Sequence, residues 1–381
     1  MSAALRPLPD AQLMRLAIKL ARRGYGLTSP NPMVGAVLVK AGKPIGVGWH
    51  RGPGCPHAEI EAIRDACRRG HTARGATLVV TLEPCSSYGR TPPCTDAIIA
   101  AGIKRVVIGA IDPNPAHSGR AIRILRGAGI DVSTGVCADE CTQLNEPFNH
   151  WIVHRTPFVT VKAAMTLDGK IATATGESKW ITGAAARTYA MHLRRGADAI
   201  LVGINTVLAD DPSLTVRRGG RLERRQPRRI VLDAMARTPP DAQVVTDAFA
   251  SQTTIVVSEC APRARVLALA ARTNVLIAPL ARPAKPANAL QLDLQWLLKR
   301  LGAEAVTSLL VEGGGEVNAS FLLGGLTNRV AFFYSPKVIG GLHALRAVAG
   351  NGVTSLADAV RLCDVGWRKL GDDLLVTAKV K

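Results

Sequence analysis

Nothing constrains the fold of this 381-residue chain more than the need to bring His57, Cys85 and Cys94 to one point. One imidazole and two thiols suit zinc, and three protein ligands leave a fourth position for water. Residues so far apart in sequence meet only if the elements carrying them turn back on one another, and the flanking sequence supplies such elements. A helix is expected from His57 to about residue 69, with Ile60, Ala62, Ile63 and Ala66 on its apolar side. Residues 76–82 read as a strand that delivers Glu83-Pro84-Cys85, and after a loop with Gly89, Pro92 and Pro93, Cys94 opens a helix through Ala101. Amide groups at that helix start are expected to favour a thiolate at Cys94. Glu59, two residues after the histidine, puts a carboxylate where it can move protons to and from an activated water.

The elements around this core alternate. Residues 10–26 predict an amphipathic helix, with Leu13, Leu16, Ala17 and Leu20 at helical spacing and Gly24 and Gly26 ending the pattern. Residues 34–39 and 44–50 predict a hairpin, 105–109 a further strand, and 127–132 the last strand of the first domain. The βαβαβ order implies a sheet with helices on its faces and ligands at its strand ends.

A chain of this length exceeds one ordinary core, so two domains are expected, 1–150 and 151–381, and a hydrophobic fraction of 47% can fill both. No low-complexity linker stands at the join, so close packing of the two is expected. No run of about 18 apolar residues argues for a membrane span, and the opening MSAALRPLPD lacks a signal pattern; a cytoplasmic protein is expected, with no membrane partner. The eight cysteines are too sparse for a disulfide scaffold. Cys137 and Cys141 have the spacing of a metal pair but no further ligand to support them, and are read as free thiols. The net charge of +19 admits nucleic acid, a membrane surface or an anionic small substrate. With aromatic residues at only 4%, little is available for stacking exposed bases, and a phosphorylated metabolite fits with fewer assumptions.

In the second half, strands are expected at 158–165, 199–203, 229–233, 253–258, 274–278 and 307–312, with helices over 183–196, 291–301 and after Gly315. Late strands at 329–335 and 373–380 suggest a mixed sheet closed by an antiparallel hairpin. Gly313, Gly314 and Gly315 follow a strand and precede a helix, a turn that can set backbone amides against a phosphate. The GxGxxG dinucleotide fingerprint is missing.

Zinc deaminases of nucleobases commonly place two residues between their cysteine ligands; here eight intervene. The run Thr81-Leu82-Glu83-Pro84-Cys85-Ser86-Ser87-Tyr88-Gly89-Arg90-Thr91-Pro92-Pro93-Cys94, with Pro30-Asn31-Pro32-Met33-Val34-Gly35, Gly46-Val47-Gly48-Trp49-His50 and Asp112-Pro113-Asn114-Pro115, resembles the deaminase half of the bifunctional riboflavin-biosynthesis deaminase/reductase family. Lys162-Ala163-Ala164-Met165-Thr166-Leu167-Asp168-Gly169-Lys170, Gly176 through Thr182, Thr206 through Pro212 and Val311-Glu312-Gly313-Gly314 are similar to its reductase half. The resemblance implies a cytidine-deaminase-like three-layer α/β domain followed by a dihydrofolate-reductase-like domain with a mixed sheet. It implies zinc on His57, Cys85 and Cys94, Glu59 as proton shuttle, and Asn31, Arg90, Asp112 and Asn114 near the pyrimidine and its phosphate. For the second half it implies NADPH beside Ala164, Trp180, Thr206, Asp210 and the segment Gly314, Gly315, Glu316, Val317, Asn318, Ala319 and Ser320. Ser178, Arg194, Leu214, Arg217 and Glu312 fall beside the substrate, with the arginine forks suited to phosphate. The expected substrate is a diaminopyrimidinone carrying ribose 5-phosphate, deaminated at ring C2 and then reduced at C1 of its ribose. A homo-oligomer, dimer or tetramer, is expected. One position departs from the family's habit: Ser87 stands where a histidine is common.

Two other readings bear on the same features. The charge prompts a nucleic-acid-acting deaminase with an appended binding domain; the eight-residue cysteine gap, the few aromatics and the reductase motifs weigh against it. An assembly protein with one decayed half is opposed by the intact ligands and by Glu312-Gly313-Gly314.

Overall fold

Strand β1, Gly35–Lys40, alternates Ala36 and Leu38 against Val37 and Val39, and both sets are buried, so helices must cover both faces of its sheet. The computed structural model describes residues 8–88, 92–281 and 291–381, and the chain divides into two compact units, Met1–Arg155 and Thr156–Lys381.

In the first unit, α1 (Asp10–Ala21) precedes β1 and β2 (Lys43–Trp49). Then come α2 (Ala58–Arg68), β3 (Thr77–Leu82), α3 (Cys94–Ala100), β4 (Arg105–Ala110), α4 (Arg120–Gly127), β5 (Asp131–Thr134), α5 (Ala138–Leu144) and α6 (Glu146–His154). The sheet order is β2-β1-β3-β4-β5; β1 pairs antiparallel with β2 and β3, while β3-β4-β5 are parallel. Ala36, Leu38, Leu78 and Val80 pack on α2, α3 and α4, whereas Val37, Val39, Val79 and Val107 pack on α1 and α5. This is the expected three-layer architecture. Two expectations shift. Residues 127–132 split between the end of α4 and the start of β5, because the glycines at 127 and 129 turn the chain from one to the other. The join expected at 150 falls inside α6, and the units part at Arg155, whose left-handed φ of 58° ends that helix.

The second unit runs β6 (Phe158–Thr166), β7 (Lys170–Ala172), α7 (Ala184–Gly196), β8 (Ala199–Gly203), α8 (Ile204–Asp210), β9 (Arg217–Arg218), β10 (Arg221–Leu222) and β11 (Arg228–Leu232). It continues with α9 (Gln243–Thr246), β12 (Thr253–Val257), α10 (Arg263–Ala270), β13 (Asn274–Ile277), α11 (Leu294–Ala303), β14 (Ser308–Val311) and α12 (Gly315–Leu323). The last strands are β15 (Arg329–Ser335), β16 (Leu345–Arg346), β17 (Leu362–Leu370) and β18 (Asp373–Val380). A nine-stranded mixed sheet has the order β13-β12-β11-β8-β14-β6-β15-β18-β17, parallel as far as β15 and antiparallel at β18 and β17. Helices α11 and α12 pack on one face, α7 to α10 on the other. The expected pairing of 329–335 with 373–380 is present, but the closing hairpin is β17-β18. Strand β17 escapes a sequence reading because it is an edge strand with mostly exposed side chains, Trp367 among them, and a register shift between Cys363 and Gly366 breaks its alternation. The arginine-rich stretch 217–229 is less of a solvated loop than its composition suggests. Arg228 pairs with Glu304, and Arg229 is fully buried in a bidentate pair with Asp247 at 2.6 and 2.8 Å.

No helix among the described residues is long and apolar enough to cross a membrane.

Candidate active site

Helix α2 begins at His57, its N-cap residue, and lies close against β2 because that strand carries glycines where the helix passes. A Cβ on Gly46 would meet the Ala62 carbonyl, and one on Gly48 the Ala58 carbonyl. Strand β3 ends immediately before Glu83-Pro84-Cys85, and α3 starts on Cys94. The three elements converge: Nδ1 of His57 lies 3.2 Å from Cys94 Sγ and 3.4 Å from Cys85 Sγ, and the three ligand atoms fall within 4.8 Å of one another. Tetrahedral zinc with ordinary bond lengths sets nitrogen and sulfur about 3.5 Å apart, so the donor set and its spacing fit that ion. Among the described residues no other group of three histidine, cysteine or acidic side chains converges in this way, and Cys137 and Cys141 are free thiols.

The electrostatics divide the two sulfurs. The helix-start amide expected to favour a Cys94 thiolate is aimed at the other ligand: Cys94 N–H donates to Cys85 Sγ at 3.2 Å. Hydrogen bonding from Cys94, then His57, draws the Cys85 thiol down to about 4, whereas Cys94, beside that sulfur and buried, is pushed up. The hydrogen bond to Cys85 raises His57. Glu59 is 3% exposed on the first turn of α2; burial, then the nearby Cys85 sulfur, lift its carboxyl to about 6.

Around this centre, Asn31 Nδ2 lies 3.0 Å from His50 Nε2, and His50 Nδ1 is 3.2 Å from the Pro56 carbonyl. Nδ1 therefore carries the proton and Nε2 accepts from Asn31, which turns the Asn31 carbonyl oxygen away from His50. Burial lowers the His50 pKa, in keeping with a neutral ring, and that ring stands edge-on to His57 with centroids 5.3 Å apart. Asp112 Oδ1 accepts from Asn114 N–H at 2.9 Å, and burial raises its carboxyl. Arg90 lies outside the described residues, and Ser87 is half-buried. His50 was legible only as the last residue of a motif; its role appears when the ring is seen between Asn31 and His57.

In the second unit the sequence-derived residues gather at the carboxyl ends of adjacent strands β8, β14 and β6. Glu312 follows β14, with its side chain 8% exposed. Arg194 of α7 meets it through Nε at 2.8 Å and Nη2 at 3.0 Å, and Lys162 Nζ lies 3.6 Å away. Nη1 of Arg194 donates to the Thr215 carbonyl at 3.0 Å. The fork expected to grip phosphate is thus committed to protein acceptors. Burial alone would raise Glu312, but Arg194 and Lys162 more than offset it and bring the carboxyl to about 2. Lys162, at the start of the Lys162–Lys170 motif, shares Glu312 with Arg194, a contact that its sequence position does not announce.

Asp210 closes α8, with Ser178 Oγ at 3.4 Å and Lys179 Nζ at 4.0 Å. Trp180 is 65% exposed under the Arg187 guanidinium, and its carbonyl accepts from Lys337 Nζ. Ala164 and Thr206 are half-buried. Leu214 is buried, with φ of 51°, while Arg217 Nε reaches the Thr215 hydroxyl. The segment 314–320 is not one contact surface. It forms the start of α12, and its first-turn amides have no intrahelical acceptor. Val317 packs beneath Gly313 and Gly203, Asn318 is fully buried with its amide on the Ala347 carbonyl, Ala319 is buried, and Ser320 Oγ donates to the Glu316 carbonyl.

A three-layer α/β unit that holds a His/Cys/Cys centre beside a buried glutamate belongs to the zinc deaminases of the cytidine-deaminase type, here on one chain with a second α/β unit. The comparisons agree with both halves. Residues 8–110 match the family model of the cytidine and deoxycytidylate deaminase zinc-binding region, and residues 157–376 that of the RibD C-terminal domain. The riboflavin biosynthesis protein RibD of Aquifex aeolicus is 42% identical over 371 residues, covering 97% of this chain and 98% of the relative. That of Escherichia coli is 39% identical over 380 residues, covering 96% and 98%. Acinetobacter baumannii RibD superposes with a TM-score of 0.84 at 35% identity, over 98% of this chain and 99% of that one. The deaminase/reductase of Thermotoga maritima gives 0.82 at 36%, with the same coverage. The chain belongs to the RibD family of bifunctional riboflavin-biosynthesis deaminase/reductases.

Proposed function

We infer that residues 1–155 hydrolytically deaminate a phosphorylated diaminopyrimidinone ribotide, and that residues 156–381 then reduce its ribosyl side chain with NADPH. The observation that carries this reading is the convergence of His57, Cys85 and Cys94 beside buried Glu59, on a chain whose whole length matches the family. His57, Cys85 and Cys94 would hold zinc, which when bound supplies the Lewis acidity that makes water a nucleophile near neutral pH. Glu59, lifted to about 6, sits close enough to neutrality to accept a proton and give it back. It takes one proton of the attacking water to the ring nitrogen, then takes the second from the C2 hydroxyl to the departing amine, so that C2–NH2 becomes C2=O and ammonia leaves. Asn31, oriented by His50, presents its carbonyl oxygen to a ring donor, and Asp112 and Asn114 face the same substrate.

In the second unit the amides of the first turn of α12 suit the pyrophosphate of NADPH, with Ala164, Trp180, Thr206 and Asp210 beside the nucleotide. When bound, the nicotinamide supplies the hydride. Glu312, balanced by Arg194 and Lys162, stays ionised at neutral pH and so does not serve to donate a proton. Asp210, with Ser178 and Lys179 in reach, is the carboxylate left to act on the substrate side of the nucleotide.

Glu59→Gln tests the first step. The variant is expected to keep one zinc per chain by metal analysis and to lose ammonia release by about 10²–10⁴-fold, while reduction of the already deaminated substrate continues. Near-normal ammonia release would overturn the assignment.

A further inference from the structure

Glu83 lies between β3 and Cys85, and the deamination chemistry above does not use it. Its side chain is 5% exposed, and its own N–H still pairs with the Ala110 carbonyl at the end of β4. The carboxylate accepts three backbone N–H groups: Oε2 takes those of Asp112 at 3.3 Å and Gly119 at 2.9 Å, and Oε1 takes that of Ala121 at 3.0 Å. Asp112 and Gly119 stand at the two ends of the loop 111–119, and Ala121 lies in the first turn of α4. Within the loop, Asp112 Oδ1 holds Asn114 N–H, Asn114 Oδ1 holds Ala116 N–H, and the Asn114 carbonyl accepts from both His117 and Ser118. The whole turn therefore hangs from one buried side chain, two residues from a metal ligand.

We propose that Glu83 is a positioning residue of the deamination step: by clamping both ends of the loop 111–119 it fixes Asp112 and Asn114 relative to the Cys85 end of β3. The proposal rests on the reading of Asp112 and Asn114 as substrate contacts. A carboxylate is required because donors approach both of its oxygens. A glutamine can accept on one atom only: with its oxygen on Asp112 and Gly119 it sets its NH2 against the Ala121 N–H and releases the start of α4, and turned the other way it frees both ends of the loop, leaving buried donors unpaired in either case.

The test uses the full-length, zinc-loaded enzyme and the phosphoribosyl diaminopyrimidinone. Glu83→Gln is expected to retain zinc and reductase activity, to keep kcat for ammonia release within about threefold, and to raise KM by about tenfold or more. Combined with Asn114→Ala, its effect should be less than additive, since part of it passes through the Asn114 contact and the rest through Asp112. Glu83→Asp, which keeps the charge one methylene short, is read the same way should the glutamine variant not fold. An unchanged KM, a fully additive double variant, or a joint loss of zinc and kcat at constant KM would overturn the proposal, the last because it marks a purely structural tie. If Asp112→Asn and Asn114→Ala themselves leave KM unchanged, the reading of those residues as substrate contacts fails instead, and this inference with it. A normal KM in the Glu83 variants while those two keep their effect removes the proposal alone.

Discussion

Glu59 and Glu312 are both buried carboxylates, and their neighbours move them in opposite directions. Glu59 has burial and a sulfur beside it and rises to about 6; Glu312 has burial opposed by two cations and falls to about 2. The first was legible in sequence, because His57-Ala58-Glu59 places ligand and carboxylate within one turn. The second was not: its partner Arg194 lies 118 positions away, and a guanidinium on a basic helix reads equally as a phosphate contact or a solvated charge. The pairing has a measurable consequence. A group whose folded pKa is depressed contributes stability that is present above its unfolded value, about 4.5 for glutamate, and is lost as pH falls from there toward 2. Glu312→Gln removes this titration, so the reductase unit should lose less of its stability between pH 4.5 and 2 than the parent does. At pH 7 the variant leaves Arg194 and Lys162 buried without a counter-charge and should be destabilised by about 3–5 kcal/mol. Denaturant unfolding at several pH values reads both effects; an equally steep acid limb in the variant would contradict the assignment.

At the scale of elements, the ligand-bearing strand–helix junctions followed from hydrophobic pattern and turn residues, since α2, β3 and α3 each carry a periodic apolar face. What stayed illegible depends on contact with something distant. Strand β17 has no buried face to impose a pattern, and the segment 314–320 splits into exposed and buried residues only once it is wound into α12 against Gly203 and Gly313. The glycines of β2 show how an element fixes a site it does not belong to. At Gly48 even a methyl group would press on the backbone at Ala58 and Ala62, and relief requires α2 to move, taking His57 with it. Gly48→Ala should therefore lower stability by about 1–3 kcal/mol and weaken zinc binding together. Thermal unfolding with a zinc-competition titration checks this, and unchanged zinc affinity in a destabilised variant would separate the helix from the metal site.

The whole molecule joins two kinds of chemistry on separate cores. The two-domain α/β plan was legible from length and from the alternation of elements, while the exact join was not, because α6 (Glu146–His154) runs through residue 150 and is capped only at Arg155. Ion pairs such as those of Arg228 and Arg229 use one acid for each base and leave the net charge of +19 untouched; that excess suits anionic metabolites. Separate cores imply separable losses. Removing zinc with a chelator should stop ammonia release and leave NADPH oxidation with the deaminated substrate intact; loss of both would show that the metal also supports the second unit. The most direct measurement supplies the phosphoribosyl diaminopyrimidinone with and without NADPH and follows ammonia, NADPH and the sugar. Without NADPH, ammonia alone should appear; with it, one NADPH should be oxidised for each ammonia released and the ribityl product should form. NADPH oxidation without ammonia, or ammonia release with no ribityl product when NADPH is present, would contradict the two-step account.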